Sequence, residues 1–207
     1  MPPATLILAS ASPQRRAILE QIGVPFEVRV PGVRELEEGP APEVALENAY
    51  RKAAAIALAD EPPQLPVLGV DTVVSLGVRN FGKARDAAHA LEMLTALAGR
   101  RHLVVSAICL IEDGRARTAA AQTVVEFRAL DGDAIEAYVE TGEWEGRAGA
   151  YAIQGRGAIL VNRVEGDYLN VVGLPVSTLL DLAPGLIGGQ RPLRDRPVRR
   201  APHGTQS

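Results

Sequence analysis

The sequence predicts an α/β fold built on a mixed, curved sheet. Three observations carry that expectation. Short apolar, β-branched runs alternate with helical patterns through the first hundred residues, the rhythm of strand–helix–strand units. A long hairpin pattern then breaks the alternation near mid-chain, so the sheet cannot be purely parallel. The composition suits one large globular domain: 207 residues, 47% hydrophobic and 23% charged, with few aromatics and abundant alanine, so the core is expected to be aliphatic.

Residues 5–9 read as a strand. Residues 12–22 read as a helix, with Ser12 as N-cap, Pro13 in the first turn, Ile18, Leu19 and Ile22 as its apolar stripe, and Gly23 closing it. A strand follows at 25–30, then a polar loop at 32–43. An alanine-rich helix runs over 43–60 and halts at Pro62 and Pro63. Residues 67–77 form a heavily β-branched strand. Residues 84–99 form a helix with Ala87, Leu91, Leu94 and Ala98 on one face and Gly99 as its stop. The hairpin spans 102–128 and turns at Asp113-Gly114. A short helix at 131–142 has Asp133 as its expected cap. Residues 150–163 read as strand or strand–turn–strand, and 174–183 as a last helix. From Gly185 onward Gly, Pro and Arg dominate, so 185–207 is expected to be a basic, disordered tail.

Charge and cysteine usage exclude several classes. Residues 186–207 carry five Arg and one Asp, while the rest of the chain carries 17 basic and 24 acidic side chains. The net charge of −3 argues against a nucleic-acid-coating protein. A single cysteine, Cys109, excludes an intramolecular disulfide and a Cys-rich metal cluster, and His89, His102 and His203 are far apart. The N-terminus lacks a signal-peptide pattern, and no apolar run approaches the ~20 residues that span a bilayer. The expected location is the cytoplasm, with no membrane or nucleic-acid partner.

Four placements need explaining. Arg15 and Arg16 lie in the first turn of a helix, where the dipole disfavours cations by roughly 0.3–1 kcal/mol each. Asp71 interrupts a strand otherwise apolar on both faces; it is either a structural Asp bonded to backbone or a base or metal ligand. Asn48 and Lys52 share one helix face, next to a Glu47–Arg51 pair; alone, Lys52 reads as a snorkelling surface lysine. "GVRNFGKA" (77–84) matches the phosphate-loop pattern except at Ala84, where a metal-binding hydroxyl is required; it reads as a turn that delivers Lys83 to the next helix. "QGRGAIL" (154–160) lacks the third glycine of a dinucleotide fingerprint. Together Arg15, Lys52 and Lys83 would supply three fixed cations, and with helix N-termini they suit a polyphosphate. Asp71, joined by the loop residue Glu35, would supply oxygen ligands for Mg²⁺ or Mn²⁺.

The segments "LASASPQRRAILEQIGVPFEV", "ENAYRKA", "GVDTVV", "GKARDAAHALEMLTALAGRRHLVVS" and "GAYAIQGRGAILVNRVEGDYLNVVGLPVSTL" resemble, in order, the Maf family of nucleoside triphosphate pyrophosphatases, first named as septum-formation inhibitors. The likeness runs from about Leu6 to Leu182. It implies an inosine-triphosphatase-like fold: an elongated mixed sheet flanked by helices, with two lobes around a central cleft, in one catalytic domain over 1–184. It implies hydrolysis between the α and β phosphates, a divalent cation (Mg²⁺ or Mn²⁺) and a homodimer. Matched residue by residue, Asp71 is the general base, Lys52, Lys83 and Arg15 are the catalytic cations, and Ser10, Ser12 and Glu35 bind substrate, with Asp71 and Glu35 on the metal. Of three positions that separate the branches, Thr72 and Gln154 match the dTTP/UTP branch, while Gln14 replaces its Arg. Ala84 and Trp144 stand where Pro is common, and Arg147 where Lys is common, keeping the charge with another geometry. Two other readings remain open: a phosphate-loop NTPase using Gly82-Lys83, and a non-catalytic nucleotide-binding regulator of cell division.

Overall fold

The computed structural model describes residues 3–186. The expected disordered tail lies, from residue 187, outside the described residues. The elements run β1 (Leu6–Ala9), α1 (Pro13–Gln21), β2 (Phe26–Val28), α2 (Ala41–Ala57), β3 (Val67–Leu76), β4 (Arg79–Phe81), α3 (Ala87–Leu97), β5 (Arg101–Glu112), β6 (Arg115–Phe127), α4 (Gly132–Val139), β7 (Val161–Glu165), α5 (Tyr168–Val172) and α6 (Val176–Leu182). They make a mixed sheet of order β2-β1-β3-β5-β6-β7, with β4 paired to β3. β1 is parallel to β2 and β3; the remaining pairs are antiparallel. Among the described residues no helix is long and apolar enough to cross a membrane.

Aliphatic side chains cover both faces of the sheet, as the composition implied. On one face, Ile18, Leu19 and Val24 around α1 and Leu174 and Leu179 around α6 meet Leu6, Leu8, Leu68 and Val70. On the other, Val44, Ala45, Ala49 and Ala53 of α2 meet Ile7, Val67, Val73 and Val105. The alanine stripe lets α2 lie close to the sheet. At Gly69 the approach is so tight that a Cβ would stand 2.1 Å from the Ala49 carbonyl oxygen. A third core, at the far end of the long strands, gathers Phe81, Leu94, Val104, Val125, Phe127 and Tyr138 beneath α3 and α4. The β5–β6 hairpin turns where expected: Asp113 and Gly114 both have positive φ (50° and 71°), as a type I′ turn requires.

Several expectations need correction. The stretch after β3 is a second hairpin, β3–β4, with Gly77 at φ 61° as the first of two turn residues. Its Gly-X turn closes strands, so "GVRNFGKA" wraps no phosphate. Lys83 does not reach the start of α3 either, which begins at Ala87 under an Asp86 cap; it forms an isolated bridge with Ala148. Residues 150–163 are mostly not strand. Gly155–Leu160 coil as a 3-10 helix, and only the segment from Val161 joins the sheet. Within the coil, position 157 has room only for glycine: a Cβ there would meet the Ala152 carbonyl oxygen at 1.8 Å and the Tyr138 hydroxyl at 3.1 Å. Asp131, not Asp133, caps α4, accepting the Ala134 N–H at 2.9 Å. Helix α5 was not expected; Asp167 caps it at the Leu169 N–H, and Gly173 stops it at φ 124°.

Candidate active site

The site begins with the alternation of β3. Odd residues face α2 and even residues face α1 and α5, so neighbours Asp71 and Thr72 carry two different polar clusters. Both open into one cleft of about 740 Å³.

On the α2 side, Asp71 is 5% exposed. Its Oδ1 meets the Lys52 ammonium at 2.6 Å, and its Oδ2 accepts from Asn48 Nδ2 at 3.1 Å. The i, i+4 spacing predicted that Asn48 and Lys52 share a helix face, and that face is turned inward: the lysine does not snorkel. Lys52 also meets Glu35 Oε1 at 2.6 Å, so one ammonium joins two carboxylates. Asn48 fastens the loop that brings Glu35 there. Its Oδ1 accepts the Leu36 N–H at 2.7 Å, and its Nδ2 donates to the Leu36 carbonyl at 3.0 Å. Burial alone would raise the Glu35 carboxyl, but the Lys52 charge and hydrogen bond, with Lys83 and Arg15 behind them, hold it below the usual carboxylate range. Lys83 Nζ stands 3.8 Å from Glu35 and is largely exposed.

On the other side, the Arg15 guanidinium is buried. It donates to the Gly173 carbonyl (3.0 Å), Ser10 Oγ (2.9 Å) and Thr72 Oγ1 (3.2 Å). Burial works against its charge, and Asp71 and Glu35 oppose that effect. Ser106 Oγ gives its proton to the Asn170 carbonyl, so Thr72 is the donor in its 2.9 Å contact with Ser106. Asn170 ties this chain to Val104 and Thr123. Ser12 starts α1, but its hydroxyl turns to Gln14 Oε1 at 3.0 Å, so no side chain caps the first-turn amides. Arg15 lines the cleft, while the half-buried Arg16 does not.

The cleft is lined by each residue assigned a catalytic, metal or substrate role from the sequence: Ser10, Ser12, Gln14, Arg15, Glu35, Lys52, Asp71, Thr72, Lys83 and Gln154. Sequence reasoning missed Asn48 as the clamp of the Glu35 loop and the Ser106–Asn170 support behind Thr72. Cys109 is buried, and burial pushes its thiol up to about 11, so it packs as a small hydrophobe. Among the described residues no group of three or more His, Cys, Asp or Glu could hold a metal by itself. Asp71 and Glu35 are nonetheless two hard oxygen donors at one ammonium, which suits an ion completed by water and substrate oxygens.

Fold and cleft define a mixed-sheet α/β protein whose central hollow sets a buried carboxylate against fixed cations. The chain belongs to the Maf family: the family profile described as Maf-like protein matches residues 5–185. It is 45% identical over 174 residues to the dTTP/UTP pyrophosphatase of Symbiobacterium thermophilum, covering 83% of this chain and 88% of that protein. It is 45% identical over 193 residues to that of Nitratidesulfovibrio vulgaris, covering 91% of each, and 42% identical over 181 residues to that of Pyrococcus furiosus, covering 86% and 93%. Among solved structures it is similar to a nucleoside-triphosphatase / dITP/XTP pyrophosphatase of Mycobacterium abscessus, with TM-score 0.42 and 19% identity over 60% of this chain and 75% of that one.

Proposed function

We propose that this chain, acting as one catalytic domain over residues 1–184, hydrolyses a nucleoside triphosphate to the monophosphate and pyrophosphate, with dTTP and UTP as the favoured substrates. One observation carries the reading: a buried Asp71 held 2.6 Å from Lys52, in a cleft that also receives Arg15 and Lys83. The names of its relatives and the matching Thr72 and Gln154 support the pyrimidine preference. Gln14 offers an amide where that branch has a guanidinium, so the grip there is by hydrogen bond rather than charge.

In this mechanism Asp71 accepts a proton from the attacking water, whose oxygen bonds to the α-phosphorus as the bond to the bridging oxygen breaks. Lys52 holds Asp71 and Glu35 in place, 2.6 Å from each. Arg15 and Lys83 offset charge on the departing pyrophosphate. A divalent cation held by Asp71 and Glu35 would lower the pKa of a bound water and screen phosphate charge.

The test is a product assay. The protein, with Mg²⁺ or Mn²⁺, is incubated with canonical and methylated triphosphates. Monophosphate and pyrophosphate in equal amounts are expected; orthophosphate as the first product overturns the reading. A homodimer is proposed on the family resemblance, and sedimentation checks it.

A further inference from the structure

We infer that Arg147 binds the phosphate chain as one jaw of a clamp whose other jaw is Lys83. The inference rests on the cleft being a triphosphate site and adds a residue to it.

The two side chains come from segments locked together. Lys83 and Ala148 form an antiparallel bridge. The Gly149 N–H donates to the carbonyls of Phe81 (3.1 Å) and Gly82 (3.0 Å). Gly149, at φ 73°, also sits so near β3 that a Cβ would stand 2.9 Å from Val74 Cγ2. Arg147 and Lys83 thus flank one fixed arch, and both line the cleft.

Arg147 lacks the partner that a sheltered cation requires. Its Nε is buried without a hydrogen bond, and among the described residues no carboxylate pairs with it. Burial lowers its affinity for the proton. Glu143 lies nearby, but its two oxygens accept the N–H groups of Arg156 (3.1 Å) and Gly157 (3.0 Å). The other cations are engaged: Lys52 by two carboxylates, and Arg15 by Gly173, Ser10 and Thr72. A half-buried guanidinium whose Nε is buried without an acceptor carries a cost, and a phosphate oxygen removes it through paired, charge-assisted hydrogen bonds. Lys83 is largely exposed while Asp71 and Lys52 are buried, which puts the clamp nearer the mouth, on the phosphates that leave together.

The probe is inorganic pyrophosphate, titrated calorimetrically with Mg²⁺ into wild type, Arg147→Met and Arg147→Lys, alongside KM for dTTP. Loss of the charged fork is expected to weaken pyrophosphate binding and raise KM by about tenfold or more, with the melting temperature kept and the lysine variant intermediate. Pyrophosphate binding equal to wild type in Arg147→Met overturns the clamp, as does wild type that binds no pyrophosphate. Should the methionine variant fail to fold, Arg147→Lys decides: a folded protein with undiminished binding overturns it, and weakened binding supports it. Wild type that releases no pyrophosphate from any triphosphate, yet binds pyrophosphate through Arg147, sinks the proposed reaction and leaves the clamp standing.

Discussion

Gly69→Ala perturbs the floor of the cleft while leaving every polar group in the chain. Gly69 lies on the α2 face of β3, two residues before Asp71. A Cβ there would stand 2.1 Å from the Ala49 carbonyl oxygen, 2.7 Å from the Ala53 nitrogen and 2.9 Å from Ala53 Cβ. None of these atoms belongs to a flexible side chain that could swing aside. Ordinary contact begins at 3.4 Å, so relieving the 2.1 Å contact moves α2 outward by about 1.3 Å. That helix carries Asn48 and Lys52, so the 2.6 Å ion pair with Asp71 is stretched beyond hydrogen-bond reach. Overpacking of this kind costs about 1–3 kcal/mol, at about 2–4 °C of Tm per kcal/mol for a chain of this size. A displacement of about 1 Å in positioned groups lowers turnover by roughly 10²-fold. The assay is kcat for pyrophosphate release beside a thermal melt. Gly132→Ala, where a Cβ meets nothing within 4 Å, is the matched control and is expected to be neutral. Wild-type kcat and Tm in Gly69→Ala would refute the claim that the α2–β3 contact sets the catalytic geometry.

Asp71→Asn is expected to lower kcat by about 10²–10⁴-fold while nucleotide still raises Tm; unchanged turnover ends the assignment of Asp71 as base. Asn48→Ala removes three hydrogen bonds around a buried carboxylate and the Glu35 loop. It should cost roughly 1–3 kcal/mol in chemical denaturation and lower turnover, and a fully active variant of wild-type stability contradicts the clamp. His102, buried against Tyr151 at 2.9 Å, is pushed by burial from 6.5 down to about 4. The unfolded chain therefore binds the extra proton between those values. His102's contribution is full above about pH 6.5 and is lost toward pH 4, up to about 3 kcal/mol. His102→Gln should flatten stability against pH in that window; an unchanged slope assigns it to other groups.

What was legible in the chain was what broke a local rule. Asp71 stood out as a carboxylate inside an apolar strand, and Arg15 as a cation at the positive end of a helix. Both are costly alone, and each cost points to a partner. Glu35 was not legible by the same logic. Glu37 and Glu38 look the same locally, and only Asn48, gripping the Leu36 backbone from α2, makes the first of the three a cleft residue. Ser106 and Asn170 were hidden because their cause is contact at separations of 34 to 66 residues. The 3-10 coil at Gly155–Leu160 was misread as strand because its apolar spacing fits either period. The long-range contact of Tyr138 with Gly157, 19 residues apart, leaves no trace in that spacing.

The opposed clusters at Asp71 and Thr72 depend on strand register. Nine consecutive pairs, from Val67↔Ile111 to Ser75↔Leu103, hold β3 against β5, and β1 pins its other edge at Val67, Leu68 and Gly69. A slip of one residue would turn Asp71 toward α1 and away from Lys52, and would bury Thr72 against the alanines of α2. The apolar residues on both faces make such a slip costly, since Leu68 and Val70 fit one core and Val67 and Val73 the other. The same burial that makes Asp71 conspicuous in the sequence thus fixes which way it points. In the cations at Arg15 the logic runs in reverse. Arg15 is drawn away from the helix axis toward Ser10, Thr72 and Gly173, and Ser12 leaves the first-turn amides without a side-chain cap. A guanidinium and open helix amides on one side suit a phosphate chain, and the carboxylate pair joined by a lysine on the other suits the divalent cation proposed to accompany it.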